Sequence, residues 1–262
     1  MKFFKPSSIF FTIKNSLPEQ KYSKMIQWLG SLGSILPVNS EESSTFVADE
    51  MIIFSKSLDF LREKKFIDVM DNAISDEEDS YKKAQGAIVW RRHILTWAGE
   101  HCKEVEGDFC DFGCYDGIGS KIINDYCNLD ANDKEFFIYD TFVSPPNSNA
   151  FPKHSDKLYE EVENRFKDSR NVRIIKGSLP ESLINKCPKK IAFAHIDLNN
   201  VDAEMKVLEL IFDKVTLGGI IILDDFGWSA YHEQQNKEKE FFLKRGLKVL
   251  ELPTGQGIVI KR

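Results

Sequence analysis

From Gly107 onward the chain alternates short apolar runs with amphipathic stretches. Phe109–Phe112, Phe136–Tyr139, Val172–Ile175, Ile191–Ile196 and Ile220–Leu223 read as strands. Ser120–Asn128, His154–Lys167, a short helix near Pro180–Asn185 reached through a turn, Ala203–Val215 and Gln234–Lys244 read as the helices that follow them. Runs without polar alternation are covered on both faces, as in a parallel sheet with crossover helices. Leu247–Leu252 and Gly257–Ile260, around Pro253–Gln256, close the pattern as an antiparallel hairpin. The pattern predicts an α/β fold with a mostly parallel sheet, an antiparallel last strand and helices on both faces.

The first 85 residues read differently. They are polar, with few strand signals, and predict a helical extension ahead of a main domain over residues 86–262. Thr45–Met70 places Phe46, Ile53, Phe54, Leu58, Leu61 and Phe66 near helical spacing. Asn39–Ser44 reads as a loop, and Ser75–Glu78 (SDEE) as a capping box opening another helix. Ala87–His101 predicts a helix with Ile88, Ile94, Leu95 and Trp97 partly inward. The extension suits either a cap over a site or an oligomer interface.

The strand ends carry the chemistry. Ligands in open α/β sheets lie beyond the carboxyl ends of the strands. There the chain places Asp140, Asp197, Asp224 and Asp225. The last three form an oxygen-rich group that suits a hard divalent cation. The alternative is that Asp224 and Asp225 cap a turn and Asp197 caps the next helix. Asp111–Ser120 (DFGCYDGIGS) lies between a strand and a helix, where Gly113 and Gly117 let the backbone turn and approach a ligand. Asp140, ending the next strand, is placed to accept from ribose hydroxyls. Two cofactors compete for this turn. A nicotinamide of the short-chain dehydrogenase kind calls for a Tyr with a Lys four residues later, and no Tyr here has one. S-adenosylmethionine fits Asp111, which can hold its methionine end or order the loop.

Composition narrows the field. At 262 residues, with 42% hydrophobic and 29% charged residues, the chain is an ordinary globular protein. A net charge of -6 argues against a general nucleic-acid binder. No stretch is long enough to span a membrane, and the start lacks the apolar core and cleavage site of a signal peptide. Five cysteines without a CxxC argue against a disulfide framework or zinc ribbon; Cys110 and Cys114 read as buried thiols. A cytoplasmic location is the expectation.

Six segments in order resemble the macrocin O-methyltransferase (TylF/MycF/NovP-type) family: Trp90–Ala98 (WRRHILTWA), Gly107–Gly117 (GDFCDFGCYDG), Tyr139–Phe142 (YDTF), His195–Asn199 (HIDLN), Gly218–Gly227 (GGIIILDDFG) and Leu252–Ile260 (LPTGQGIVI). The resemblance covers roughly residues 85–262. It implies a Rossmann-like class I methyltransferase fold and a magnesium-dependent transfer from S-adenosylmethionine to a sugar hydroxyl. Asp197, Asp224 and Asp225 match the metal-binding acids, and Asp197 also the base. Asp111, Gly113 and Gly117 match the cofactor loop, and Asp140 the ribose acid. Tyr115, Ser120 and Thr141 complete the cofactor set, with Ser178 where many members carry an Asp near the adenine. Asn199 and Val201 replace a second acid and a Tyr, and Phe226 replaces the Tyr of DDY. The chain is closer to a branch with IDxN and LPTGQG, so the acceptor does not carry over.

The expected partner is a small, sugar-containing acceptor, with a homo-oligomer as an option. Competing readings are a catechol-like or other diol acceptor, an NAD-dependent oxidoreductase and a nucleoside-binding module. His195 shares a strand face with Asp197 and reads as a satisfied buried histidine. His232 reads as an exposed loop residue, and His93, beside Trp90 and Trp97, as packing. Ser144–Asn149 (SPPNSN) is either a mobile lid or a solvated loop.

Overall fold

The computed structural model describes residues 44–49, 51–143 and 154–262. The expected loop and lid at Asn39–Ser44 and Ser144–Asn149 fall wholly or almost wholly outside them.

Seven strands form one sheet: β3 (Asp108–Phe112), β4 (Phe136–Asp140), β5 (Val172–Lys176), β6 (Ile191–Ile196), β7 (Val215–Leu223), β8 (Leu250–Glu251) and β9 (Gly257–Ile260). Their spatial order is β5-β4-β3-β6-β7-β9-β8. The pairs joining β3 to β7 with β4, β5 and β6 are parallel, and β9 runs antiparallel to both β7 and β8. The chain winds outward from β3 in one direction through β4 and β5, then returns through β6 and β7 on the other side. The reversal falls between β3 and β6, which is where such sheets open a crevice.

The sequence explains this arrangement locally. Every residue of β6, IAFAHI, is buried, as a central strand covered on both faces requires. One face packs Cys110, Phe112, Ile196, Leu223 and Phe242, and the other packs Phe109, Phe193, Ile220 and Ile222. Helices α3 (Val89–Cys102), α4 (Ile118–Cys127), α5 (Asp156–Arg165), α6 (Val201–Ile211) and α7 (His232–Leu243) flank it. Ser155 and Asn200 cap α5 and α6 through their side chains.

The amino-terminal part departs from expectation. Thr45–Met70 is not one helix. It holds the antiparallel hairpin β1 (Ser44–Ala48) and β2 (Met51–Lys56), then a 3-10 turn at Asp59–Leu61, then α1 (Lys64–Ala73). Ala48 pairs with Met51, and Asp49 takes a positive φ of 52° in the tight turn between them. The cause is legible in the sequence: TFV and MIIF are β-branched and aromatic runs on either side of the turn at Asp49. Helix α2 (Asp79–Ala87) starts after SDEE as expected, but Glu78 stands at its cap and no side chain bonds there. The strand over Leu247–Leu252 shrinks to two residues. A third cluster joins hairpin, α1, α3 and α4 through Phe46, Phe66, Met70, Val89, Ile118 and Ile122. His93 belongs to this packing, stacked on Phe60 with centroids 4.3 Å apart.

Candidate active site

Sheet register brings the expected residues together. Asp111 and His195 are cross-strand partners on β3 and β6. The ladder runs one step past the strand ends: Asp197 N–H donates to Phe112 O at 2.8 Å, and Asp224 N–H to Ile196 O at 3.0 Å. Gly113, Asp197 and Asp224 therefore sit side by side at the carboxyl ends of three adjacent strands.

The glycine turn is shaped by that closeness. Gly113 has φ 98°, and a Cβ there would overlap the Asp197 carbonyl oxygen. Gly117 has φ 73° at the start of α4, where a Cβ would press on Phe166 and Val162. Asp111 is buried; Ser120 Oγ donates to one of its oxygens, and His195 Nδ1 lies 2.8 Å from the other. Asp111 thus orders the loop. Asp140 accepts from Tyr115 N–H and Phe142 N–H, each at 2.8 Å, with His154 Nε2 at 3.2 Å. These contacts fix the orientation of the carboxylate at the mouth of the turn. Thr141 makes a local turn with Val143. Ser178 is exposed, one strand farther along, where Gly177 N–H donates to Asp140 O at 2.9 Å.

A cofactor that carries an adenosine and an amino-acid carboxylate fits this cradle. The two glycines hold the backbone open, and Asp140 stands beside them. Arg92 rests against Gly119 in the first turn of α4, and its buried Nε has no partner.

The acid group is less uniform. Asp197 accepts from Asn199 Nδ2 at 2.7 Å on Oδ1, and Tyr231 O–H donates in turn to Asn199. Asn199 is a donor here, a part that an ionised carboxylate could not play. Asp224 accepts on Oδ2 from Arg91 Nη1 at 2.6 Å; its Oδ1 receives Gln256 Nε2 at 2.8 Å and faces His195 Nε2 at 3.3 Å. Asp225 Oδ1 lies 4.0 Å from Arg91 Nη1. Burial, then the charges of Asp224 and Asp225, drive the Asp197 carboxyl well above the ordinary carboxylate range. Asp225 is pushed up to about 6 by burial and by Asp224. For Asp224 burial acts upward, yet His195, Arg91 and Gln256 together hold it below that range. His195 is pushed up to about 10, because Asp111 and Asp224 outweigh its burial.

This arrangement does not fit the expected three-carboxylate magnesium site. Both oxygens of Asp224 already face nitrogen groups, and among the described residues no group of His, Cys, Asp and Glu is disposed to hold a metal. The cysteines are free, and Cys110 and Cys114 are buried thiols, as expected. Sequence reasoning missed Arg91 and Gln256 as partners of Asp224, and Tyr231 as the partner of Asn199. The Arg91–Arg92 pair inside a mostly apolar helix and the TGQG segment were the available signals.

Fold and site together define a class I S-adenosylmethionine-dependent O-methyltransferase. The sequence model of the Macrocin-O-methyltransferase (TylF) family matches residues 97–248, and the chain belongs to that family. Among solved structures, the O-methyltransferase NovP has a TM-score of 0.54 at 16% identity, over 66% of this chain and 80% of its own. The calicheamicin methyltransferase CalS11 has 0.53 at 14% identity, over 76% and 92%; it is described as a TDP-rhamnose 3'-O-methyltransferase. The SAH-bound methyltransferase PaMTH1 of Podospora anserina has 0.50 at 15% identity, over 76% and 88%. No curated protein matches the sequence. No helix among the described residues is long and apolar enough to cross a membrane.

Proposed function

We propose that the protein methylates a hydroxyl of a sugar or glycosylated small molecule, with Asp197 as the base. The carrying observation is the placement of Asp197. Its backbone is packed against Gly113 of the cofactor turn, and its side chain is raised in proton affinity among acids. Asn199 engages Oδ1 and leaves Oδ2 for the acceptor proton.

S-adenosylmethionine supplies an electrophilic methyl on a sulfonium. In that transfer the acceptor oxygen would form the new C–O bond as the C–S bond breaks, and Asp197 would take the hydroxyl proton. Much of the acceleration comes from alignment, to which the fixed strand ends are suited. A bound sulfonium would favour the ionised form of Asp197 and so let this carboxylate of high proton affinity act as the base. Asp111 and Ser120 would order the turn, Asp140 would take the ribose hydroxyls, and Thr141 and Ser178 would border the nucleoside. Arg92 would meet the methionine carboxylate at the start of α4. A divalent cation on Asp197, Asp224 and Asp225 is the finer expectation. It would have to displace Arg91, and we derive no step through it. Residues 1–85 would act as a cap, with the hairpin tied to the site through Asp49 and Arg91, 3.0 Å apart.

The sugar assignment draws on the family and on what NovP and CalS11 are described as doing. Calorimetry with S-adenosylhomocysteine and with NAD tests the cofactor. A screen of nucleotide-linked sugars, free sugars and catechols with methyl-labelled donor tests the acceptor. Binding of NAD with no binding of S-adenosylhomocysteine would overturn the reading, and turnover of catechols alone would move it to a diol acceptor.

A further inference from the structure

We propose that the Arg91 guanidinium is the resident cation of the acid group and stands where a divalent ion would otherwise sit. The inference rests on the reading of this pocket as the acceptor side of the methyl transfer, and it departs from the expected magnesium.

The geometry comes from three separate parts of the chain. Arg91, on α3, donates through Nη1 to Asp224 Oδ2 at 2.6 Å and lies 4.0 Å from Asp225 Oδ1. Through Nε it donates to Asp49 at 3.0 Å, in the turn of the β1–β2 hairpin. Its guanidinium carbon lies 4.9 Å from the centroid of the Trp228 ring, just beyond the acids. The Arg91 side chain is 13% exposed. A guanidinium with two carboxylate partners and an aromatic face is fixed in place, not resting on a surface.

The other oxygen of Asp224 is also taken. Gln256 directs its amide N–H at Oδ1, and its orientation is set by Thr254 O–H donating to Gln256 Oε1 at 3.1 Å. His195 faces two carboxylates, one from each ring nitrogen, so both nitrogens serve as donors. A hard cation needs oxygen lone pairs directed at it. Asp224 meets nitrogen donors from α3, β6 and the loop before β9, so its lone pairs are already directed at protons. Arg91 also reaches toward Asp225, so one side chain spans the two acids that a metal would be asked to bridge. Arg91 acts through these carboxylates and is a positioning residue.

The test is a Mn2+ titration of the full-length protein, followed by electron paramagnetic resonance, with S-adenosylhomocysteine present. The wild type is expected to bind no stoichiometric Mn2+ up to millimolar concentration, and ethylenediaminetetraacetate is expected to leave S-adenosylhomocysteine affinity unchanged. Arg91→Gln is expected to gain a Mn2+ site with at least tenfold tighter binding than wild type, and Arg91→Gln/Asp224→Asn to lose it again. Arg91→Lys, which keeps the charge, is expected to behave as wild type. One Mn2+ bound by the wild type and lost in Asp224→Asn would overturn the proposal, and this arm needs no folded Arg91 variant. Failure of the wild type to bind S-adenosylhomocysteine would instead overturn the methyltransferase reading, while the Mn2+ result would still decide the role of Arg91.

Discussion

Asp140 and Asp197 both end a strand on the same edge of the sheet, yet their surroundings set them to different work. Asp140 accepts two backbone N–H bonds and faces His154. Its neighbours are donors, so it is a fixed acceptor. Asp197 has one amide donor and two nearby carboxylates. Its neighbours repel charge, so it is poised to take a proton. The residue type names neither role; the count of donors against acids around it does.

Breaking the acid half should have the largest effect. Asp197→Asn is expected to lower labelled methyl transfer by about 10²–10⁴, with S-adenosylhomocysteine affinity unchanged by calorimetry. Loss of both together would make Asp197 a structural residue of the cofactor half instead. His195 joins the halves, and His195→Asn leaves Asp111 and Asp224 without their shared partner. A loss of about 3–4 kcal/mol is expected at pH 7, read as a lower chemical-denaturation midpoint. The sign in pH follows from its raised proton affinity. His195 contributes fully below about 6.5, and the wild type should lose that contribution as pH rises toward about 10. The variant should show a flatter curve over that span.

The cofactor half is broken by Gly113→Ala. Its methyl meets backbone, which cannot swing aside, at a positive φ. About 3 kcal/mol should be lost, or roughly 6–12 °C in melting temperature. The smallest change runs the other way. Asp225 is pushed up to about 6, so the folded state holds a proton that the unfolded state has released between about pH 4 and 6. Stability therefore falls across that window as pH rises. Asp225→Asn should remove the fall and raise stability at pH 7 by about 2 kcal/mol. A destabilised variant would show that Asp225 is held by partners rather than crowded by charge.

Much of the sheet was legible because central parallel strands announce themselves. Ile191–Ile196 is recovered at both ends, and Gly257–Ile260 likewise. The hairpin at 44–56 was not, since Phe46, Ile53 and Leu58 satisfy a helical spacing as well as two strands joined by a turn. Short apolar runs carry that ambiguity, and β-branched content should have decided it. At the site, the acids and the glycine turn follow strand ends and so show in one dimension. Arg91 reaches Asp224 across 133 positions, and Gln256 reaches it across 32. Local pattern can mark such residues, as the Arg91–Arg92 pair and the TGQG segment do, but it does not say which acid they reach.

Strand β9 lies between β7 and β8, although β8 comes before it in the chain. The loop that leads into β9 supplies Gln256, which holds Asp224. The segment that completes the surroundings of Asp224 is thus synthesised after the other strands. Without β9 the edge of Ile220–Leu223 is left unpaired, an apolar template for another chain. The order of assembly joins solubility to catalysis: a fault in the TGQG turn should surface first as aggregation during folding, before any assay of methylation is possible.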